Sequence, residues 1–157
     1  MRKIRRPADS LLISHLLRNV EPMSNNSVVL NVDAATPEDV VGRCADLLQL
    51  NKTMRDSLFI RYRSLPSAVG DGFAVLHLDK TLRVNRRRNT VAFVRLNSPV
   101  MWGDFLVDCV VGVGAGDKDH VEILSGIGNI LIDPDKRMVL KQSDSVDDII
   151  NTLMNKC

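Results

Sequence analysis

The first half of the chain carries the hydrophobic and polar pattern of a strand followed by two helices. Ser27–Val32 is rich in β-branched residues, which predicts a strand. Thr36 precedes a proline and two acidic residues, so a helix should begin there with a hydroxyl cap and acids near its positive end. A second helix is predicted over Thr53–Tyr62, ending before Leu65-Pro66-Ser67. The first helix carries an apolar stripe at helical spacing, formed by Val40, Val41, Cys44, Leu47 and Leu48.

Three apolar segments in the second half predict the strands of a buried sheet. They are Phe73–Leu78, Asn89–Leu96 and Val107–Val113. Asp79–Arg88 is predicted as a loop, a helix should begin near Asp119-His120, and the capping box Ser145–Asp148 should open the last helix. Because strands and helices alternate, we predict an α/β fold, a single domain whose mixed sheet of about five strands has helices on both faces.

The N-terminal residues differ from this regular pattern. Residues 1–20 hold a short apolar stretch that predicts one helix from near Ser10, and Glu21–Ser27 is polar and predicts a linker. We therefore interpret 1–25 as an N-terminal appendage and 26–157 as the domain. The basic start lacks the cleavage site of a signal peptide, and no apolar run approaches the roughly 20 residues that span a bilayer. We expect a cytoplasmic protein that does not insert into the membrane.

The composition is that of a globular protein, but the charge is unevenly distributed along the chain. With 45% hydrophobic and 25% charged residues, the chain falls in the globular class rather than the disordered one. The net charge is only +2, yet Met54–Leu96 contains nine basic residues against three acidic ones. The basic run Arg86–Arg88 predicts either a solvated face or a surface that attracts phosphate or acidic partners. Nucleic acid is not an expected partner, because aromatic residues are few and no nucleic-acid-binding motif is present.

The cysteines predict neither a disulfide framework nor a metal site. Cys44, Cys109 and Cys157 are odd in number and widely spaced, whereas structural zinc sites need more ligands at closer intervals. Cys109 lies within an apolar strand and is expected to be a small core residue. We expect no metal and no cofactor.

Two of the three histidines occupy positions that favour chemistry. His77 ends a predicted strand, and His120 begins a predicted helix after a glycine-rich turn. In α/β sheets ligands gather at strand ends and helix N-termini, where backbone N–H groups favour anions. A structural role for either histidine is the alternative. Other templates are absent: the chain has no GxxxxGK[ST], no GxSxG and no complete GxGxxG.

A family resemblance joins these residues. Gly70–His77 (GDGFAVLH) is similar to the G-x-G-[IV]-A-[IVM]-P-H signature around the phosphorylated histidine of fructose–mannitol-type enzyme IIA domains, components of the bacterial sugar phosphotransferase system. Arg61 precedes His77 by sixteen residues, the interval at which those domains carry a functional arginine. Val110–His120 resembles the strand–turn–helix segment that bears their second site histidine. Shorter matches are Leu65-Pro66-Ser67, Ser98–Trp102 and Ser145–Ile150.

The resemblance implies a phosphocarrier. His77 would accept a phosphoryl group from the phosphocarrier protein HPr and pass it to the IIB component of a sugar permease. Arg61 and His120 would stabilise the charge of that group, and neither metal nor ATP would be required. No segment resembles a IIB or IIC domain, so we expect these components on separate chains.

Two departures from the family pattern support an alternative. Leu76 stands where the family usually has proline, and Tyr62 follows Arg61 where an acid is common. Proline restricts the backbone before it, so its loss could change the geometry around His77. The alternative is a divergent regulatory or interaction module of the same fold with little or no phosphotransfer.

Overall fold

The computed structural model describes residues 19–64 and 67–154. Within these ranges the chain forms five strands and six helices. The strands are β1 (Val28–Val32), β2 (Ala68–Gly70), β3 (Phe73–His77), β4 (Thr90–Trp102) and β5 (Phe105–Gly114). The helices are α1 (Pro37–Leu47), α2 (Lys52–Ser64), α3 (Lys80–Arg83), α4 (His120–Leu131), α5 (Pro134–Gln142) and α6 (Val146–Leu153).

The described strands form one mixed sheet in the order β1-β4-β5-β3-β2. β1 runs parallel to β4, β4 antiparallel to β5, β5 parallel to β3, and β3 antiparallel to β2. The register pairs Phe73 with Cys109 and His77 with Val113. Because β3 and β5 are parallel, their C-terminal ends meet at one edge of the sheet, where ligand sites of α/β folds commonly lie.

Helices cover both faces of the sheet, as the sequence predicts. On one face α1 and α2 bury an apolar cluster in which Tyr62 and Trp102 meet edge to face, with ring centroids 4.7 Å apart. On the other face α4, α5 and α6 bury a second cluster that includes Cys109. Cys109 is fully buried there, as expected of a small core residue.

The side-chain caps that the sequence predicts are present. The Thr36 hydroxyl accepts a hydrogen bond from the Asp39 N–H, and the Asp39 carboxylate accepts from the Thr36 N–H. The Ser145 hydroxyl accepts from the Asp148 N–H in the same way at the start of α6. These contacts pair N–H groups that a helix leaves without an internal partner.

Four elements differ from the sequence prediction. Asp79–Arg88 is not wholly a loop, because α3 forms inside it. α5 was not predicted, although Asp133 caps it and proline follows, the same combination that marks α1. β2 was not predicted, and β4 extends to Trp102 through an irregularity between Arg95 and Val100.

The described part of the N-terminal segment lies against the domain. Val20 and Met23 are buried in the core, and the Glu21 N–H donates to the Asn89 carbonyl at 2.8 Å. The boundary at residue 25 stays a prediction, and the helix expected from Ser10 lies outside the described residues. No helix in the described ranges is long and apolar enough to cross a membrane.

Candidate active site

His77 is presented at the C-terminal end of β3 by a tight hairpin. The β2–β3 turn holds Gly70, Asp71 and Gly72 at φ values of 99°, 53° and 82°, a left-handed region that favours glycine. A Cβ atom at Gly72 would also lie 2.7 Å from an Asp108 oxygen. The two glycines that attract attention in the sequence therefore permit the turn from which β3 and His77 emerge.

Both ring nitrogens of the half-buried His77 have a polar neighbour. Nδ1 lies 3.4 Å from the Leu78 carbonyl oxygen, and Nε2 lies 3.3 Å from Nη2 of Arg61. A carbonyl can only accept and a guanidinium can only donate. Both contacts are therefore satisfied by one tautomer, with hydrogen on Nδ1 and a lone pair on Nε2.

Arg61 reaches His77 from the last turn of α2. Its Nη1 atom donates to Asp79 at 2.8 Å, and the same carboxylate accepts from the Ser57 hydroxyl at 3.2 Å. Ser57 and Arg61 are one helical turn apart, so α2 presents both towards the segment that follows His77. The Arg61 side chain is 27% exposed, and its Nε atom is buried without a hydrogen-bond partner among the described residues.

His120 enters from the start of α4. Its ring centroid lies 4.9 Å from that of His77, with 60° between the ring planes. The residue is only 6% exposed, and its Nδ1 atom is buried without a hydrogen-bond partner among the described residues. The turn before α4 is tight, since a Cβ atom at Gly116 would lie 2.6 Å from the Arg86 carbonyl oxygen.

Both histidines are held in the neutral form at neutral pH. Burial lowers the pKa of His77, and the positive charge of Arg61 lowers it further. Burial also lowers the pKa of His120, to about 4, with Arg83, His77 and Arg61 contributing in the same direction. A neutral imidazole can act as a nucleophile through one nitrogen and as a hydrogen-bond donor through the other.

The structure thus brings Arg61, His77 and His120 together, although they come from three separate elements. Sequence reasoning missed Asp79 and Ser57, which hold Arg61. The available signal was the helical spacing of Ser57 and Arg61 together with a carboxylate two residues after His77. No group of three or more potential metal ligands occurs in residues 19–64 and 67–154.

The basic segment after His77 is more ordered than the sequence suggested. Arg86 does not stay solvated: its guanidinium donates to the Gly114 carbonyl, the Thr90 hydroxyl and the Leu48 carbonyl. Arg88 pairs with Glu21 at 2.7 Å, while Arg87 is exposed. The expectation of a solvated or partner-facing loop is therefore wrong for Arg86, which ties two chain segments to the end of β5.

An apolar groove of about 550 Å³ begins beside His77. One wall is formed by β2 and β3 and the other by α4. The lining includes Val69, Phe73, Val75, Leu124, Ile127 and Leu131. His77 lies within reach of a molecule that fills this groove.

Comparison with known proteins identifies the family. The family model described as "Phosphoenolpyruvate-dependent sugar phosphotransferase system, EIIA 2" matches residues 21–156. The chain belongs to this EIIA family. The resemblance deduced from His77 and its neighbouring motifs is therefore confirmed, and members of the family are phosphotransferase components.

Individual relatives have low sequence identity to this chain but match most of its length. The mannitol-specific phosphotransferase enzyme IIA component of Staphylococcus aureus is 21% identical over 133 residues, which covers 82% of this chain and 92% of that protein. The enzyme IIA mannitol domain of Escherichia coli, solved in complex with phosphorylated enzyme IIB, superimposes with a TM-score of 0.74 at 18% identity, covering 85% of this chain and 98% of that one. The nitrogen regulatory protein IIA-Ntr of Neisseria meningitidis gives a TM-score of 0.74 at 18% identity, covering 88% and 99%.

Leu76, which stands where the EIIA signature has proline, packs into the core of this chain. Leu76 is 4% exposed and packs with the cluster under α1 and α2. Strand pairing continues through it, since Leu76 lies opposite Gly112 and His77 opposite Val113. The backbone before His77 is therefore fixed by the sheet without a proline.

Proposed function

We propose that this EIIA chain is a phosphocarrier. Nε2 of His77 accepts a phosphoryl group from HPr, and the phosphorylated chain passes the group to the IIB component of a sugar permease on a separate chain. The observation that carries the proposal is the contact of Nε2 with Arg61 at 3.3 Å, beside the neutral ring of His120.

The acceptance step uses His77 as the nucleophile. The Nε2 lone pair forms a bond to phosphorus while the bond between phosphorus and the donor breaks, and that electron pair stays on the donor. No proton has to leave Nε2, because the hydrogen is on Nδ1. The ring gains positive charge, which the Leu78 carbonyl stabilises through the Nδ1 hydrogen bond.

Arg61 and His120 act on the phosphoryl oxygens. Before the reaction Arg61 donates to the Nε2 lone pair, so this hydrogen bond breaks as phosphorus approaches, and the guanidinium, still held by Asp79, then donates to the phosphoryl oxygens. The unpaired Nδ1 of His120 supplies a further hydrogen bond when its tautomer carries hydrogen there. Donors already held beside the reacting nitrogen stabilise the spread negative charge of the transferring group with little reorganisation.

The onward step reverses these movements. A nucleophilic atom of IIB forms the new bond to phosphorus while the bond between phosphorus and Nε2 breaks. The electron pair of the broken bond returns to the ring, and the neutral His77 is restored. Each partner has to bring its own reacting atom to the exposed side of His77, and the apolar groove beside it suits contact with another protein. The E. coli mannitol relative that was solved with phosphorylated IIB supports this arrangement.

We place the chain in the cytoplasm, consistent with buried, unpaired Cys44 and Cys109.

Labelling by the complete phosphoryl relay tests the proposal. The protein is mixed with enzyme I, HPr and phosphoenolpyruvate, and intact mass and peptide mapping are recorded. We expect one added phosphoryl group on His77, lost in acid and kept in base, and no label in His77→Ala. Omission of HPr should abolish labelling, and addition of IIB should remove the label from this chain.

A regulatory or interaction module of the same fold is the rival function, and Leu76 is the residue that favours it. The variant Leu76→Pro is therefore labelled beside the wild type and a known IIA domain. We expect wild type and variant to label alike, because the sheet already fixes the approach to His77. If neither labels while the known domain does, the phosphocarrier proposal fails and the rival replaces it.

A further inference from the structure

Arg83 lies inside the segment that the sequence marks only as a basic loop. It ends α3, six residues after His77, and its side chain is 13% exposed. An arginine so little exposed is costly unless its donors are paired. Its guanidinium donates hydrogen bonds to the segment that follows His77 and to the turn that precedes His120.

One end of the guanidinium contacts the segment that follows His77. Nη1 of Arg83 donates to the Leu78 carbonyl at 2.7 Å. The same oxygen faces Nδ1 of His77 at 3.4 Å. A carbonyl has two lone pairs and can accept both hydrogen bonds. The orientation of the carbonyl that selects the His77 tautomer is therefore fixed by Arg83.

The other side of Arg83 contacts the turn that precedes His120. Nε donates to the Asp117 carboxylate at 3.2 Å, and the Asp117 N–H donates to the Arg83 carbonyl at 3.0 Å. This pair of contacts joins α3 to the turn between β5 and α4. Arg83 is thus the bridge between the segment after His77 and the segment before His120.

We propose that Arg83 is a positioning residue for phosphotransfer, which holds the Leu78 carbonyl against His77 and the Asp117 turn against His120. The inference rests on the proposed phosphocarrier function. Its charge and its geometry act on the pKa of His77 in opposite directions, because the hydrogen bond of His77 to the Leu78 carbonyl raises that pKa. Arg83 lowers the pKa of both histidines, alongside Arg61, whereas Asp79 raises the pKa of His77 and Asp117 raises that of His120.

Three substitutions separate the charge of Arg83 from its geometry. Arg83→Ala removes both, so the pKa of His120 should rise and the His77 tautomer should become mixed. Arg83→Lys keeps the positive charge but cannot make both contacts, so the pKa values should stay low while the tautomer is still disturbed. Asp117→Asn removes an opposing negative charge, so the pKa of His120 should fall, the opposite direction to Arg83→Ala.

The measurement is a pH titration of the histidine side chains by long-range ¹H–¹⁵N NMR, with thermal unfolding as a check that each variant is folded. Exposed Arg87 lies in the same segment, and Arg87→Ala should keep the wild-type titration curves. Phosphoryl transfer from HPr is then timed, and we expect about a tenfold loss for Arg83→Ala with partial recovery in Arg83→Lys.

The titration does not require phosphotransfer, so the two proposals fail separately. Shifted histidine curves in a chain that accepts no phosphoryl group would sink the phosphocarrier function and leave the positioning contacts standing. Folded Arg83→Ala with wild-type curves, the wild-type His77 tautomer and an unchanged transfer rate would overturn the role of Arg83.

Discussion

The two histidines lie close together beyond neighbouring parallel strands, His77 at the end of β3 and His120 at the start of α4, yet their surroundings differ. His77 is half buried, has a polar neighbour at each ring nitrogen and opens towards a groove. His120 lies beyond the turn that follows β5, is almost fully buried and has an unpaired Nδ1 among the described residues. Both are neutral at neutral pH, but for His120 the pKa falls as far as about 4.

The difference in exposure and hydrogen bonding suits the two histidine rings to different chemical roles. A nucleophile needs a lone pair on its reacting nitrogen, and Nε2 of His77 has one because the Leu78 carbonyl holds the hydrogen on the other nitrogen. A buried neutral ring with an unpaired nitrogen suits hydrogen bonding to a group that arrives beside it. The comparison therefore predicts that substitutions around His77 and around His120 have unequal effects on transfer.

After His77 itself, the largest effect is expected at Arg61, because its guanidinium contacts Nε2 of His77, the nitrogen that we propose to react. Arg61→Ala should slow transfer from HPr by about a hundredfold to a thousandfold, the loss typical of one charge-stabilising donor. Arg61→Lys should recover only part of the rate. It keeps the positive charge, but a single ammonium cannot contact both His77 and Asp79 as the guanidinium does. The rate is followed by rapid quench and mass spectrometry.

Arg63 provides the matched control for Arg61. It is an exposed arginine on the same helix, and its guanidinium lies over the Phe59 ring, 5.8 Å from the centroid. Arg63→Ala should transfer at the wild-type rate. Equal rates for Arg61→Ala and Arg63→Ala would remove Arg61 from the site.

A smaller effect is expected at His120. His120→Ala should slow transfer by about tenfold to a hundredfold, because it removes the donor that we propose but leaves the proposed nucleophile, His77, and Arg61 in place. His120→Gln should recover part of that loss if a neutral donor is what the site requires. Circular dichroism controls for folding, since His120 is buried.

Two results would contradict the roles expected of His77 and His120. A variant His120→Ala that cannot be labelled at all, beside a His77→Ala variant that still accepts the group, would make His120 the nucleophile. Full activity in both His120 variants would leave that histidine with a structural role only.

The parts of the fold that were predictable from sequence are those with local causes. The apolar stripe of α1 and the caps at Thr36 and Ser145 are read from residues a few positions apart, and the structure contains each of them. Two histidines and Arg61 were assigned to one site by motif spacing. Their meeting depends on β3 and β5 being parallel neighbours, which a local pattern does not determine.

The parts that were missed depend on contacts between distant segments. Arg83 and Arg86 look like members of a solvated basic run, because their partners Asp117 and Gly114 lie far along the chain. Likewise α3 forms where Asp117 and Leu78 hold its last residue. Among the missed helices and strands, α5 carried a local signal that should have been recognised, the Asp133 cap followed by proline.

The chemical position of the transferred phosphorus tests the central claim most directly. Protein labelled through enzyme I and HPr is examined by ³¹P and long-range ¹H–¹⁵N NMR, with ¹⁵N in the histidine rings. We predict phosphorus bonded to Nε2 of His77, with the ring hydrogen still on Nδ1. Phosphorus on Nδ1 of His77, or on His15 or His120, would contradict the account, because Arg61 and the Leu78 carbonyl would then not define the reacting nitrogen.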